Sequence, residues 1–234
     1  MHNFSREFLE LIQSSNEDEN DTVAFAAAGV FHPYLVRSQV GELALSRQES
    51  EGDFQLLCHI DQGRPEGDGP LGELLDEWLM ELPSVRALRE RRIEAASAIL
   101  EHLPQNPPVQ LMVVNVGSGA VVAQVASDLA RVGGELLCVD DRRESLEYLK
   151  KTVHPPRTVR LRLEQRDPLM LVSGQARLTA LSQHIILIDG LLDVLPEQLV
   201  LRMLQWCMQQ LHSDGVLILT TLGPSSDEHL FRYL

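Results

Sequence analysis

The residues best suited to chemistry fall in two short stretches. Val113-Val114-Asn115-Val116-Gly117-Ser118-Gly119 is an apolar run that ends in a glycine turn. Leu137-Cys138-Val139-Asp140-Asp141 is a second apolar run, and it ends in acid. Glycines at such a turn let the backbone approach a ligand that a Cβ would exclude. A carboxylate about 20 residues further on can accept both hydroxyls of a ribose. The pairing marks a site for an adenosine-containing cofactor.

Such a site needs strands and helices to hold it. Short apolar runs at Val109–Val114, Glu135–Val139, Thr158–Leu163, His184–Ile188 and Val216–Thr221 read as strands. Helical patterns fall between them, near Val121–Val132, Glu144–Lys151 and Glu197–Leu211. Strands alternating with helices imply right-handed crossovers and a parallel sheet wound on both faces. The part before this alternation is different. Ser5 is a helix N-cap candidate ahead of Phe8, Leu9 and Ile12, and the acidic stretch 16–21 reads as a loop. Gly63–Pro70 is dense in glycine and proline and reads as a second loop. Leu71, Leu74, Leu75, Trp78 and Leu79 then recur at helical spacing, as do Leu88, Ile93, Ala96 and Leu100 with one wider gap. Pro104, Pro107 and Pro108 end that pattern. The expected organisation is an N-terminal helical region, 1–104, followed by an α/β doubly wound Rossmann-like domain, 105–234.

The turn itself narrows the cofactor. A dinucleotide fingerprint wants a further glycine three residues after Gly119, and that position is Val122. An NAD reading is therefore weak, whereas a loop that passes the methionine part of S-adenosylmethionine tolerates more variation. Asn115, Gly117, Ser118 and Gly119 would form that loop. Asp140, with Asp141 beside it, ends the second strand where a ribose would be held. Asp167, Pro168 and Leu169 follow the third strand, where a side chain and a backbone amide could read an adenine edge. Asp189 ends the fourth strand, at the carboxyl edge where ligands of open sheets bind. Leu211-His212-Ser213-Asp214-Gly215-Val216-Leu217-Ile218-Leu219 resembles the helix, turn and fifth strand of class I methyltransferases. The bland alternative for each aspartate is a helix cap or turn residue, and for Gly215 a tight turn.

A closer resemblance covers most of the chain from about Phe31 onwards. His32-Pro33-Tyr34-Leu35-Val36-Arg37-Ser38, Glu51-Gly52-Asp53-Phe54, Pro83-Ser84-Val85-Arg86-Ala87-Leu88-Arg89-Glu90-Arg91 and Asp189-Gly190-Leu191-Leu192-Asp193-Val194-Leu195 occur in that order. They resemble bacterial S-adenosylmethionine-dependent methyltransferases related to 3-hydroxypalmitic acid methyl ester synthase. The resemblance implies a helical region covering a methyl-transfer pocket, with Asp53 and Arg89 facing cofactor or substrate. It also implies a small-molecule acceptor, such as the carboxylate of a hydroxy fatty acid. A helix cap for Asp53 and a surface ion pair for Arg89 stand as alternatives. Two positions depart from the pattern. Asn115 replaces an acid near the cofactor's ammonium group, and Val121 replaces a later glycine. A catalytically silent binding or interaction protein on the same scaffold is the alternative function, and no residue stands out as catalytic. The chain also stops soon after the fifth strand, so either it is shortened or the sheet edge is covered by a partner or by a second copy in a homodimer.

Composition sets outer limits. The formal charge of -14 argues against a nucleic-acid partner, which needs a basic stripe. The one basic cluster, Arg157, Arg160, Arg162 and Arg166, has a period near two and reads as the solvated side of a strand, with anion recognition as the alternative. Cys58, Cys138 and Cys207 lie far apart in apolar contexts, so free thiols are expected and no metal site. His184 and His212 are expected to be structural. The start is neither cationic nor apolar enough for a signal peptide, and no apolar run approaches the roughly 20 residues that span a bilayer. A cytoplasmic protein without membrane insertion is the expectation.

Overall fold

The computed structural model describes residues 30–45, 52–106, 108–225 and 227 of the chain. The helix expected from Ser5, the loop over 16–21 and the segment 46–51 lie outside them. The chain divides into two compact units, one of Met1–Ala87 with Pro224–Leu234 and one of Leu88–Gly223.

Unit 1 is helical. A short helix over 30–35 is followed by α1 (Gln39–Leu45), α2 (Gly52–Gln62), α3 (Gly69–Met80) and the start of α4 (Pro83–Glu101). Helix α3 begins inside the glycine- and proline-rich stretch expected to be loop, because Pro70 occupies its first turn, where no backbone N–H is needed. Its buried face is also rotated from the expected one. Gly72, Asp76, Leu79 and Met80 are buried, whereas Leu71 and Leu74 are 44% and 52% exposed. Asp76 organises the interior of this unit. One carboxylate oxygen accepts from the Ser38 hydroxyl at 2.6 Å and the Val40 amide at 2.6 Å. The other meets His59 Nε2 at 2.8 Å and the Glu66 amide at 2.9 Å. A buried carboxylate is tolerable only when its lone pairs are filled in this way.

A second acid closes the unit. Asp227 accepts from the Ser84 amide at 3.1 Å and from the Ser84 hydroxyl at 2.6 Å, capping the first turn of α4. Burial pushes its carboxyl up, but hydrogen bonds from Ser225 and Ser84 outweigh that and hold it below the usual range.

Unit 2 carries a five-stranded sheet of order β3-β2-β1-β4-β5, with every neighbouring pair parallel. The strands are β1 (Val109–Val114), β2 (Gly134–Asp140), β3 (Val159–Gln165), β4 (Gln183–Asp189) and β5 (Leu211–Thr220). Between them lie α5 (Ala120–Leu129), α6 (Arg143–Thr152), α7 (Pro168–Val172), a 3₁₀ turn (Leu191–Val194) and α8 (Glu197–Gln210). The fold class expected from the alternation is therefore observed. All of β1 is buried, which is why apolar residues fill both of its faces, with Gln110 the one polar residue, rather than alternating with polar ones.

Alternate residues of the central strands feed opposite faces. Leu111, Val113, Leu136, Cys138, Ile185 and Leu187 pack with Val122 and Val125 of α5, Ala95, Ala96 and Ile99 of α4, and Leu149 of α6. Met112, Val114, Leu137, Val139, Ile186 and Ile188 pack with Leu171 of α7 and with Met203 and Cys207 of α8. Ile93, expected in the core stripe of α4, is 52% exposed. Strand β5 starts earlier than expected. Leu211 pairs with Gln183 and Val216 with Ile185, so residues 212–215 are an excursion accommodated by a register shift.

Candidate functional site

The carboxyl ends of β1, β2 and β4 are laced together by hydrogen bonds. The chain leaves β1 at Asn115, whose amide still donates to Val139 of β2 at 2.9 Å. Asn115 has φ 64, the one positive value among the described non-glycine residues. Asparagine tolerates this left-handed backbone better than most residues. The same residue donates from Nδ2 to the Asp189 carbonyl at 2.7 Å, tying β1 to β4 across the sheet. Gly117 and Gly119 follow with φ 56 and 76, and Ser118 between them is buried. The glycine turn is thus real, and it opens α5.

Asp140 is 1% exposed at the end of β2. Its Oδ2 accepts from the Gly117 amide at 3.1 Å and its Oδ1 from the Arg142 amide at 2.9 Å. Burial pushes its carboxyl up to about 6; the hydrogen bonds from Arg142, Gly117 and Val116 pull the other way, and the Asp141 charge adds to the rise. Asp141 itself is exposed, and its carbonyl accepts from Gln165 Nε2 at 3.1 Å. Asp167, beyond β3, caps α7 by accepting from the Leu169 amide at 2.7 Å. Pro168 fills the first turn of that helix and is buried.

Asp189 ends β4 with 6% exposure. Its Oδ1 accepts from the Thr220 hydroxyl at 2.8 Å, and the same Thr220 oxygen accepts from the Gly190 amide at 3.0 Å. Arg91 of α4 reaches this edge, with Nε 3.3 Å from Asp189 Oδ1 and Nη1 donating to Asp193 Oδ2 at 3.0 Å. Gly190 has φ 64, and a Cβ there would lie 2.5 Å from Arg91 Nη2.

Of the residues singled out in the sequence, Asn115 is hydrogen-bonded to Asp189 and Gly117 to Asp140, with Asp167 beyond the end of the neighbouring β3. Arg89 is half-buried on α4, two residues before the arginine that reaches the sheet edge. Asp53 falls in the first turn of α2, and its side chain lies outside the described residues. Arg91 and Thr220 escaped sequence reasoning, although the Arg89-Glu90-Arg91-Arg92 run offered three cations on one helix.

Other chemistry-bearing groups are spoken for. His184 Nδ1 accepts from the Gln110 amide at 3.0 Å, and its ring stacks on His212 at 5.5 Å, at the opposite ends of the strands. Arg160 and Arg162 pair with Glu135, and Arg162 and Arg166 with Glu164, along the edge strand β3. All three cysteines are free, with Cys138 and Cys207 buried and Cys58 only half-buried. Burial pushes the Cys207 thiol up to about 12 and that of Cys138 higher still, so neither is a ready nucleophile. Among the described residues no cluster of three or more metal-ligating side chains occurs, and no helix is long and apolar enough to cross a membrane.

Known structures share this arrangement. A DUF574-family protein from Streptomyces avermitilis aligns with TM-score 0.56 at 14% identity, over 77% of this chain and 72% of its own. Magnesium protoporphyrin IX methyltransferase from Synechocystis, a structure with bound S-adenosylmethionine, gives 0.44 at 12% identity, over 58% and 62%. An O-methyltransferase family protein from Burkholderia thailandensis gives 0.48 at 10% identity, over 82% and 47%. The fold is a doubly wound, Rossmann-like α/β fold, shared with the Streptomyces protein. At these identities the likeness speaks for the fold alone, and the chain spans less than two thirds of the Synechocystis and Burkholderia proteins. No family model and no curated protein matches the sequence.

Proposed function

We propose that this chain binds S-adenosylmethionine along the carboxyl edge of the unit 2 sheet and serves transfer of its methyl group to a small-molecule acceptor, leaving S-adenosylhomocysteine. The carrying observation is the Asp140 carboxylate, buried at the end of β2 and bonded to the amide of the glycine turn after β1. The residues fit the group. The two Asp140 oxygens take backbone hydrogen bonds from Gly117, Arg142 and Val116, and of the roughly four acceptor positions of a carboxylate this leaves capacity for a ribose hydroxyl. Gly117 and Gly119 keep side chains off the turn, and the second oxygen of Asp167 remains for an adenine amino group.

The cofactor supplies an electrophilic methyl on a sulfonium, and the protein supplies alignment in a water-poor site. Asp140 and the turn orient the adenosyl half. Asn115 and Thr220 fix the ends of β1, β4 and β5, so that the edge is rigid where the acceptor would enter. An alcohol or amine acceptor needs a base, and neither His184 nor His212 supplies one, since both sit at the opposite edge. A carboxylate is already ionised at neutral pH. The acceptor best suited to the site is therefore a carboxylic acid, with a hydroxy fatty acid as the first compound to try.

One observation favours a second reading, a silent scaffold that binds without turnover. Asn115 gives its amide to the Asp189 carbonyl, and Arg91 lies over Gly190 at the end of β4. Calorimetric titration with S-adenosylhomocysteine and NADH, followed by a methylation assay on 3-hydroxy fatty acids, separates the two. Heat with the first ligand alone and a methyl ester product support the enzyme. Binding without product supports the scaffold, and heat with neither ligand removes the cofactor assignment.

A further inference from the structure

Arg91 carries two donors that the described residues leave unfilled. Nη1 is used, donating to Asp193 Oδ2 at 3.0 Å. Nε is 3.3 Å from Asp189 Oδ1, but no hydrogen bond is aligned there, and the atom is buried without a partner. The oxygen it faces is engaged by the Thr220 hydroxyl at 2.8 Å. Nη2 has no hydrogen-bond partner among the described residues and lies against the Cα of Gly190, where an added Cβ would come within 2.5 Å.

The covalent geometry of arginine makes this pairing specific. Nε and Nη2 project their N–H bonds in parallel from one side of the guanidinium, and that side matches the two oxygens of a carboxylate. A mere brace between Asp189 and Asp193 would turn Nε into alignment, because a buried donor without an acceptor costs free energy. Here the two aspartates hold the guanidinium in place while the buried Nε and the Nη2 beside Gly190 are left without an aligned acceptor. The position is the junction of β1 and β4, from which neighbouring strands run outward on both sides in the order β3-β2-β1-β4-β5. Ligands of open α/β sheets enter at such a junction.

We infer that the Nε–Nη2 fork of Arg91 anchors a carboxylate of a bound ligand. The inference rests on the reading of this edge as an adenosyl site. The carboxylate comes either from the amino-acid end of the cofactor or from an acidic acceptor. Wild type, Arg91→Gln and Arg91→Lys separate the sources when titrated with four probes. S-adenosylhomocysteine carries the amino-acid carboxylate, and 5′-methylthioadenosine lacks it. 3-Hydroxydecanoate and its amide form the same contrast on the acceptor side.

A cofactor source is supported if both variants bind S-adenosylhomocysteine at least about tenfold more weakly while 5′-methylthioadenosine is unchanged. An acceptor source is supported if both adenosyl ligands are unchanged and only the acid, not the amide, loses at least about tenfold. Lysine keeps the charge but not the fork, so Arg91→Lys must show the loss as well, and it serves if Arg91→Gln does not fold. Equal binding of all four probes by wild type and Arg91→Lys overturns the inference. Wild type that binds neither adenosyl ligand overturns the cofactor reading instead, and the acid–amide contrast then decides the fork alone.

Discussion

The Asp140 carboxylate accepts the Gly117 amide at 3.1 Å, so the acid at the end of β2 holds the glycine turn at the end of β1. One side chain thus shapes the turn and, on the proposed reading, would present its oxygens to a ribose. Asp140→Ala removes both roles. S-adenosylhomocysteine affinity should fall about 30-fold or more, the worth of one or two hydrogen bonds to a charged group. Calorimetry measures it, and unchanged affinity would sink the ribose assignment.

The same carboxylate sets a pH dependence. Burial pushes it up to about 6 from an ordinary value of 3.8. A raised folded-state value means that the native protein holds the proton more tightly than the unfolded chain. The stability from this group is complete below about pH 4 and is lost as pH rises through about 6, a swing of roughly 3 kcal/mol. The stability of wild type minus that of Asp140→Ala should therefore decline across this window and level off above it. Urea denaturation at closely spaced pH values reads the difference. Ligand hydroxyls prefer the ionised carboxylate, so S-adenosylhomocysteine should bind less tightly below about pH 6.

Gly190→Ala tests the space over which Arg91 lies. The left-handed φ of 64 costs a non-glycine residue about 1–2 kcal/mol, and the new methyl would press on the guanidinium at 2.5 Å. A drop in melting temperature is expected, together with weaker binding of the ligand that Arg91→Lys also weakens. Loss of stability with every affinity intact would separate Gly190 from the site.

Asp76→Ala strips the acceptor from Ser38, Val40, His59 and Glu66 together. Three buried partners and the part-buried Glu66 amide would lose their acceptor, which should cost about 3–5 kcal/mol, far more than a surface substitution. Chemical denaturation followed by Trp78 fluorescence reports on unit 1. A cost below about 1 kcal/mol would show that water replaces the carboxylate there.

The sheet was legible because its strands are buried on both faces. Val109–Val114, apolar but for Gln110, and Ile185–Ile188 are short apolar runs, and such runs between helical patterns have few other interpretations. The phase of the helices was less legible. Along α4, Ile93 drew attention as apolar, yet Arg92, Ala95, Ala96 and Ile99 hold the buried face, because hydropathy cannot tell a packed arginine stem from a solvated one. Asp76 was hidden for the same reason. Its spacing from Gly72, Leu79 and Met80 places it on the buried stripe, and that spacing was the available signal. In the site, the order of glycine turn and distant acid was readable along the chain. The choice among Arg89, Arg91 and Arg92 was not, since only the packing of α4 on the sheet decides which guanidinium reaches Asp189.

The cap that Asp227 places on Ser84 bridges 143 positions of sequence. Unit 1 is built from both sides of unit 2 in the chain, so a growing polypeptide cannot complete it early. As the ribosome elongates the protein, the amides at the start of α4 wait for an acceptor until β5 has been made. The whole sheet is thus synthesised before the helical unit receives its final clasp. A chain stopped after β5 would carry every strand of the sheet and a helix start without this cap.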